Sequence, residues 1–101
     1  MTCRIFAVLA SLVLAGAANG ADVLLFTADW CGPCQVLKAK MKKEGILPSV
    51  QIRDCTESDA YTIFSKKYGF RGVPQVIVME DGKEIARGGL EVARKYAKGG
   101  R

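Results

Sequence analysis

One short stretch of the chain decides its fold: residues 23–34, which read VLLFTADWCGPC. Residues 23–26 form an apolar run that is too short for a helix and has no polar alternation, which is typical of a strand buried on both faces of a sheet. A helical pattern begins at Pro33, and proline suits a first helical turn because its missing N–H would be unpaired there anyway. The stretch therefore predicts a buried strand that leads into a helix with two cysteines at its start.

Working outward, strands and helices alternate along the rest of the chain. Helical spacing predicts helices over residues 33–44, 59–68 and 90–98, and apolar runs predict further strands over residues 50–54, 76–79 and 83–87. Asp81-Gly82 is a strong hairpin signal between the last two strands. Gly45 and Gly69 are placed to end helices, and Ser58 is the expected N-cap of the second helix. The order β-α-β-α-β-β-α predicts an α/β fold, in which helices cover both faces of one four-stranded mixed sheet.

The same patterns predict which side chains face the core. The expected inward residues are Val36, Leu37 and Met41 in the first helix, Ala60, Ile63 and Phe64 in the second, Leu90, Ala93 and Ala97 in the last, and Val50 and Ile52 in the second strand. The first helix carries three lysines that are expected to face water, Lys38, Lys42 and Lys43. These lysines are either a solvated face or a surface that docks an acidic partner.

Composition excludes several classes of function. The 101 residues are 50% hydrophobic and 25% charged, the proportions of one globular domain. The net charge is +5, but the basic residues are scattered, which argues against a nucleic-acid binder. The chain has no histidine, which removes histidine metal sites and every histidine-assisted nucleophile.

The first twenty residues differ from the rest. Arg4 is their only charge, and 12 of the 14 residues from 5 to 18 are apolar, with small residues at the end. This pattern predicts a secretory signal peptide over residues 1–20, cleaved near Gly20, and a mature domain over residues 21–101 without stable membrane insertion. The expected location is the periplasm or the exterior of the cell, where disulfides persist. The alternative is an uncleaved N-terminal membrane anchor.

The cysteine pair has a physical logic at a helix start. Cys31 would lie at the helix N-terminus, where unpaired N–H groups and the helix dipole stabilise a thiolate, the reactive form of the thiol. Cys34 follows about one turn later, close enough to close a disulfide, and is expected to be more buried. The alternatives are half of a zinc site, for which the mature chain offers only Cys55 as a further cysteine, and a purely structural disulfide.

Val73-Pro74 lies just before the third strand. Its peptide bond is either an ordinary trans bond at a strand entrance or a cis bond that turns the backbone toward the cysteine pair.

With these residues in view, the chain resembles the thioredoxin family over about residues 23–98. Residues 30–34, WCGPC, look like its active site, and residues 67–74, KYGFRGVP, resemble the segment that leads into its cis-proline. Asp81-Gly82-Lys83 resembles the last hairpin of the family, and Gly88-Gly89 resembles the glycines beside its substrate groove. The family's opening strand and helix are missing, so the resemblance implies a reduced version of the fold with strand order 2-1-3-4.

The resemblance implies a protein-disulfide reductase or isomerase in which Cys31 attacks a substrate disulfide and Cys34 resolves the mixed disulfide. The implied substrate groove is lined by Trp30, Gly32, Pro33, Val73, Pro74, Gly88 and Gly89. No metal or organic cofactor is expected besides the redox-active disulfide. The implied partners of a monomeric enzyme are disulfide-containing proteins and an upstream dithiol donor. The alternative function is a binding module that uses the same groove, with incidental redox chemistry.

Four positions are of special interest beside this family. Leu25 stands six residues before the first cysteine, where thioredoxins usually carry a buried aspartate, and Val50 falls near the position of its lysine partner. Gln75 follows the proline where threonine is usual. Cys55 is either a small buried apolar residue or a regulatory or intermolecular thiol.

Overall fold

The computed structural model describes residues 21–99. Its elements are β1 (Ala21–Thr27), α1 (Gly32–Lys43), a 3-10 turn (Leu47–Ser49), β2 (Val50–Asp54), α2 (Ser58–Tyr68), β3 (Gln75–Glu80), β4 (Lys83–Gly88) and α3 (Leu90–Gly99). The signal peptide predicted over residues 1–20 lies outside the described residues. Within residues 21–99, no helix is long and apolar enough to cross a membrane.

The four strands form one mixed sheet in the order β2-β1-β3-β4, which confirms the expected topology. β1 runs parallel to β2 and antiparallel to β3, so Leu25 lies between Ile52 on one side and Val76 on the other. β3 and β4 form the predicted hairpin. Asp81 and Gly82 have φ values of 53° and 78°, the positive values that a tight hairpin turn requires.

Helices cover both faces of the sheet because side chains alternate along β1. Val23 and Leu25 pack on the face that carries α1 and α3, in one cluster with Met41 and Ala93. The other face is covered by α2. There Leu24 and Phe26 belong to an aromatic cluster, in which the ring of Phe26 lies near those of Phe64, Tyr68 and Phe70 at centroid distances of 5.6, 4.9 and 4.9 Å.

The helix ends agree with two of the three predicted signals. Gly45 and Gly69 have φ values of 77° and 70°, a backbone conformation that glycine adopts without a steric penalty. Gly69 directly follows α2, and Gly45 follows Glu44, the C-cap of α1. The prediction for Ser58 is wrong. α2 is capped by Glu57, whose carbonyl accepts the first bond from the N–H of Tyr61, so Ser58 is already the first helical residue.

Burial confirms the core positions Met41, Ala93, Ala97 and Val50 but not all of the predicted apolar face. Val36, Ile52 and Ile63 are 55%, 42% and 63% exposed, and their assignment to the core was wrong. Apolar spacing identifies a face that could be buried, whereas the neighbouring elements decide how wide the buried part is. Lys42 and Lys43 are exposed as expected, and Lys38 is half-buried.

The buried hydroxyl group of Thr27, at the end of β1, allows a test of how the core is stabilised. Its side chain is buried, and Oγ1 has no hydrogen-bond partner among the described residues. Thr27→Val keeps the shape and removes the unpaired hydroxyl, so we expect the free energy of unfolding to rise by about 1 kcal/mol. Urea denaturation measures the change. Thr27→Ser, which keeps the hydroxyl and loses a methyl group, should be less stable than the wild type, and a Thr27→Val protein below the wild type would contradict the reasoning.

Candidate active site

The two cysteines lie at the N-terminus of α1 and are joined by a disulfide, with their Cα atoms 5.2 Å apart. Cys31 is the N-cap in an extended conformation, and its Sγ accepts a hydrogen bond of 3.1 Å from the backbone N–H of Cys34. Cys31 is 7% exposed, whereas Cys34 is fully buried. The sulfur that solvent or a partner can reach is therefore the one at the positive end of the helix dipole.

The loop before β3 meets the disulfide directly. The Val73-Pro74 peptide bond is cis, which is the second of the two alternatives that the sequence left open. The carbonyl oxygen of Val73 lies 3.6 Å from the Sγ of Cys31, and the Val73 side chain packs against the cluster of Ala28, Cys31 and Cys34. A polypeptide that approaches Cys31 must therefore pass beside this loop.

Trp30 is held in place although its side chain is 61% exposed. Its indole N–H donates a 3.0 Å hydrogen bond to the carbonyl of Thr56, and its ring stacks on Tyr61 at a centroid distance of 6.1 Å. The hydroxyl of Tyr61 donates to the carbonyl of Arg71 at 2.7 Å. The indole beside the cysteines is thus linked to the loop that carries the cis-proline.

Thr56 is a positioning residue that sequence reasoning missed. Its hydroxyl donates to Asp54 at 2.6 Å and accepts from the backbone N–H of Asp29 at 2.9 Å, while its own N–H donates to the same Asp54 oxygen at 2.9 Å. The two bonds from Thr56 hold the pKa of the Asp54 carboxyl below its ordinary value. The sequence signal is Asp-x-Thr that begins at the last residue of a strand, a pattern typical of an Asx turn.

The predicted groove residues are only partly brought together. Pro33, Pro74 and Gly89 line one apolar groove of about 510 Å³ beside the disulfide, while Gly32 is exposed at the start of α1. Trp30 faces Thr56. Gly88 ends β4 against α3, where an added Cβ would lie 2.7 Å from a methyl carbon of Val92, so a side chain has no room there.

The groove also includes Val36, Leu37, Lys40 and Leu90, which the sequence did not single out as site residues.

A larger depression, of about 560 Å³, lies on the other face of the sheet. It is lined by Asp22, Lys67, Gly82 and neighbouring residues, none of which belongs to the disulfide or its loop. It is therefore not part of this site.

No charged side chain is buried within residues 21–99, so the positions of Leu25 and Val50 hold no charged pair. Leu25 is fully buried and belongs to the same apolar cluster as Val50, and Asp29 is exposed. Cys55 is fully buried and unpaired, and burial raises the pKa of its thiol. This agrees with the interpretation of Cys55 as a small apolar core residue. No group of three metal-ligating side chains occurs within residues 21–99.

Known proteins resemble this chain in sequence and in fold. The thioredoxin of Chlamydia caviae is 34% identical over 71 residues, which are 69% of each chain. Protein disulfide isomerase-like 2-3 of Oryza sativa is 36% identical over 66 residues, but this chain spans only 15% of its length. The crystal structure of a thioredoxin from Nicotiana alata superimposes with a TM-score of 0.59 and 25% identity, over 79% of this chain and 73% of that one. The thioredoxin of Fasciola hepatica, 22% identical, has the same fold with a TM-score of 0.60 over 90% of both chains.

The chain has a disulfide-bonded cysteine pair on this fold, and its relatives include a thioredoxin and a protein disulfide isomerase-like protein. It is therefore a thiol–disulfide oxidoreductase. The family model described as Thioredoxin matches residues 12–96, most of the sequence. The chain therefore belongs to the thioredoxin family.

The geometry predicts an order of cysteine reactivity in the reduced protein. Cys31 is at the helix N-terminus and partly accessible, Cys34 is buried, and the thiol of Cys55 is buried with a raised pKa that keeps it protonated. Brief treatment with iodoacetamide at neutral pH should label Cys31 first and Cys55 last, as measured by mass spectrometry of peptides. Labelling of Cys34 or Cys55 ahead of Cys31 would contradict this assignment.

Proposed function

We propose that the protein reduces or isomerises disulfide bonds of exported proteins, with Cys31 as the nucleophile and Cys34 as the resolving thiol. The observation that carries the proposal is the position of the Cys31 sulfur. Cys31 is the less buried residue of the pair and caps α1, and its sulfur lies 3.6 Å from the Val73 carbonyl oxygen. Pro33 and Pro74, which are close to it in the structure, line the apolar groove. A substrate sulfur can reach Cys31 while the flanking chain rests on the groove.

The chemistry is two successive thiol–disulfide exchanges. The Cys31 thiolate attacks a substrate disulfide, so that a Cys31–substrate bond forms and the other substrate sulfur leaves as a thiolate, which takes a proton from solvent. Cys34, once deprotonated, attacks the Cys31 sulfur, closes the internal disulfide and releases the second substrate thiol. Two electrons have then passed to the substrate, and an upstream dithiol protein must return them. In isomerisation, a second thiol of the substrate displaces Cys31 instead.

The proposed compartment is the periplasm or the exterior of the cell. It rests on the basic start, the short apolar run and the small-residue end of residues 1–20. Sustained reduction there needs electrons delivered across the membrane. The mass of the protein recovered after expression of the full chain tests this part: a product that begins near Ala21 supports export with cleavage, and an intact chain in the membrane fraction supports the anchored alternative.

Reduction of insulin by dithiothreitol tests the activity. The wild-type protein should accelerate insulin precipitation, and Cys31→Ser and Cys34→Ser should fall to the rate with dithiothreitol alone. Cys55→Ala is the matched control, because it removes a cysteine outside the pair, and it should remain active. An inactive wild-type protein that still binds its partner after both active-site cysteines are replaced would be a binding module instead. The reduction potential of the Cys31–Cys34 pair then decides the direction of exchange.

A further inference from the structure

The apolar groove beside Cys31 does not end at the residues that contact the disulfide. It continues along α1 through Val36 and Leu37 to Lys40, and Leu90 of α3 forms its other side. The groove residues of α1 recur at intervals of three or four positions, at Pro33, at Val36 or Leu37, and at Lys40. They therefore form one stripe along the helix. Val36 is 55% exposed and contributes apolar surface to this stripe.

The far end of the stripe is basic. A second hollow of about 470 Å³ adjoins the groove, shares Lys40 and Leu90 with it, and adds Lys43, Glu44 and Arg94. Arg94 is paired with Glu44 through two hydrogen bonds of 2.7 and 2.8 Å. Lys40 and Lys43 are exposed and make no ion pair among residues 21–99. The hollow therefore carries more positive than negative charge.

We propose that this surface is a substrate subsite that takes an apolar side chain next to the exchanged disulfide and an acidic side chain farther along the same substrate segment. The inference rests on the proposed function and specifies the class of protein that the enzyme serves. Charge complementarity and continuity with the cysteine site support it: the apolar part begins at Pro33 and Pro74, and the positive part follows without a break.

The length of the helix sets the spacing of the two substrate residues. Pro33 and Lys40 are seven residues apart, which at 1.5 Å per helical residue is about 10 Å. An extended peptide rises about 3.3 Å per residue, and its successive side chains point to opposite faces. The acidic side chain is therefore expected about four residues beyond the apolar one, on the same face of the peptide and between the levels of Lys40 and Lys43.

Eight synthetic peptides, in two sets of four, test the two halves of the proposal. In the first set each peptide has one cysteine in a mixed disulfide with glutathione, followed by leucine or serine, and carries aspartate or asparagine four residues beyond that position. The second set has the reversed sequences, because the structure does not fix the direction of the bound chain. With dithiothreitol as the electron source, the rate of glutathione release is measured at low and high salt. We expect the leucine–aspartate peptide of one set to be cleaved fastest. Each charged contact should add about two- to five-fold in kcat/KM at low salt, and the gain should shrink at high salt.

Variants with matched controls assign the effect to this surface. Lys40→Glu with Lys43→Glu should abolish or invert the preference for aspartate over asparagine, whereas Lys66→Glu with Lys67→Glu, the same charge change on α2, should retain it. Val36→Ser should reduce the preference for leucine over serine, whereas Ile63→Ser, at an equally exposed apolar residue of α2, should not.

The outcomes separate this inference from the proposed function. If the wild-type protein cleaves all peptides at equal rates, the subsite is overturned while the disulfide chemistry stands. A preference for leucine without one for aspartate means that the groove takes any apolar segment, a second copy included, and overturns the acidic part. If no peptide and no insulin is reduced, the proposed function fails, and the subsite fails with it.

Discussion

A Cys34→Ser protein is expected to accumulate stable covalent complexes with its substrates. The substitution leaves Cys31 able to attack, but no second thiol is held next to the mixed disulfide to resolve it. In the wild-type protein the two residues are adjacent across one helical turn, and such an intramolecular group acts at an effective concentration far above that of any dissolved thiol. Insulin turnover should therefore fall to background while the mixed disulfide persists.

Non-reducing electrophoresis of exported proteins from cells that express the variant measures this trapping. The bands should disappear on treatment with dithiothreitol. Cys31→Ser is the matched control and should trap nothing, because Cys34 is fully buried and cannot reach a substrate disulfide. Equal trapping by the two variants would assign the bond to Cys55 or show that the contact is not a disulfide. The Lys40→Glu, Lys43→Glu background should lose acidic proteins from the trapped set.

Leu25→Asp is expected to speed the resolving step and to destabilise the fold. Leu25 lies on the sheet face that carries α1, in the cluster with Met41, and no Asp or Glu side chain is buried within residues 21–99. A carboxylate there could accept the proton of Cys34, so the second exchange should quicken by about ten- to a hundred-fold near neutral pH. Burial raises the pKa of such a carboxyl group, so the rate increases only at a pH at which the carboxyl group is ionised. The increase should vanish at high pH, because Cys34 loses its proton there without help.

The stability cost of the same substitution should be about 4 kcal/mol, because leucine packing is lost and a polar group is buried without a partner. Single-turnover kinetics and thermal melts measure the two effects. Leu25→Asn is the control of equal shape: it should share the loss of stability without the gain in rate. Since the single variant is strongly destabilised, Leu25→Asp with Val50→Lys tests the same idea with a charged partner in the cluster. Equal rates for the aspartate and asparagine proteins would show that another group already accepts the proton.

The features that the sequence predicted correctly are those that local chemistry specifies. Asp81-Gly82 adopts the positive φ values of a hairpin turn, and Gly45 and Gly69 follow the ends of two helices, because these residues tolerate conformations that others do not. The strand order followed from the resemblance carried by residues 30–34 and 67–74. The pairing of Cys31 with Cys34 needed only their spacing at a helix start.

The features that it missed depend on contacts between distant segments. Val36 is one residue from Leu37, which packs against the core, and this single step of about 100° around the helix leaves Val36 55% exposed. The bond between the Trp30 indole and Thr56 joins residues 26 positions apart and depends on how the loops after β1 and β2 meet. The hollow at Lys40 and Arg94 likewise needs α1 and α3 side by side. No pattern within one segment contains this information.

The order of the strands also has a consequence for how the molecule behaves at high concentration. β2 and β4 are the outer strands of an open sheet, and outer strands present unpaired backbone groups that could recruit further chains into a growing fibril. β2 is only five residues long and ends in Arg53 and Asp54. β4 carries Lys83, Glu84 and Arg87, and its pairing with β3 is irregular between Val78 and Met79. Short length and charge make β2 a poor template for a further strand, and charge and the irregular pairing have the same effect in β4. The sheet that supports the reactive cysteines at one end therefore resists polymerisation through its two edge strands.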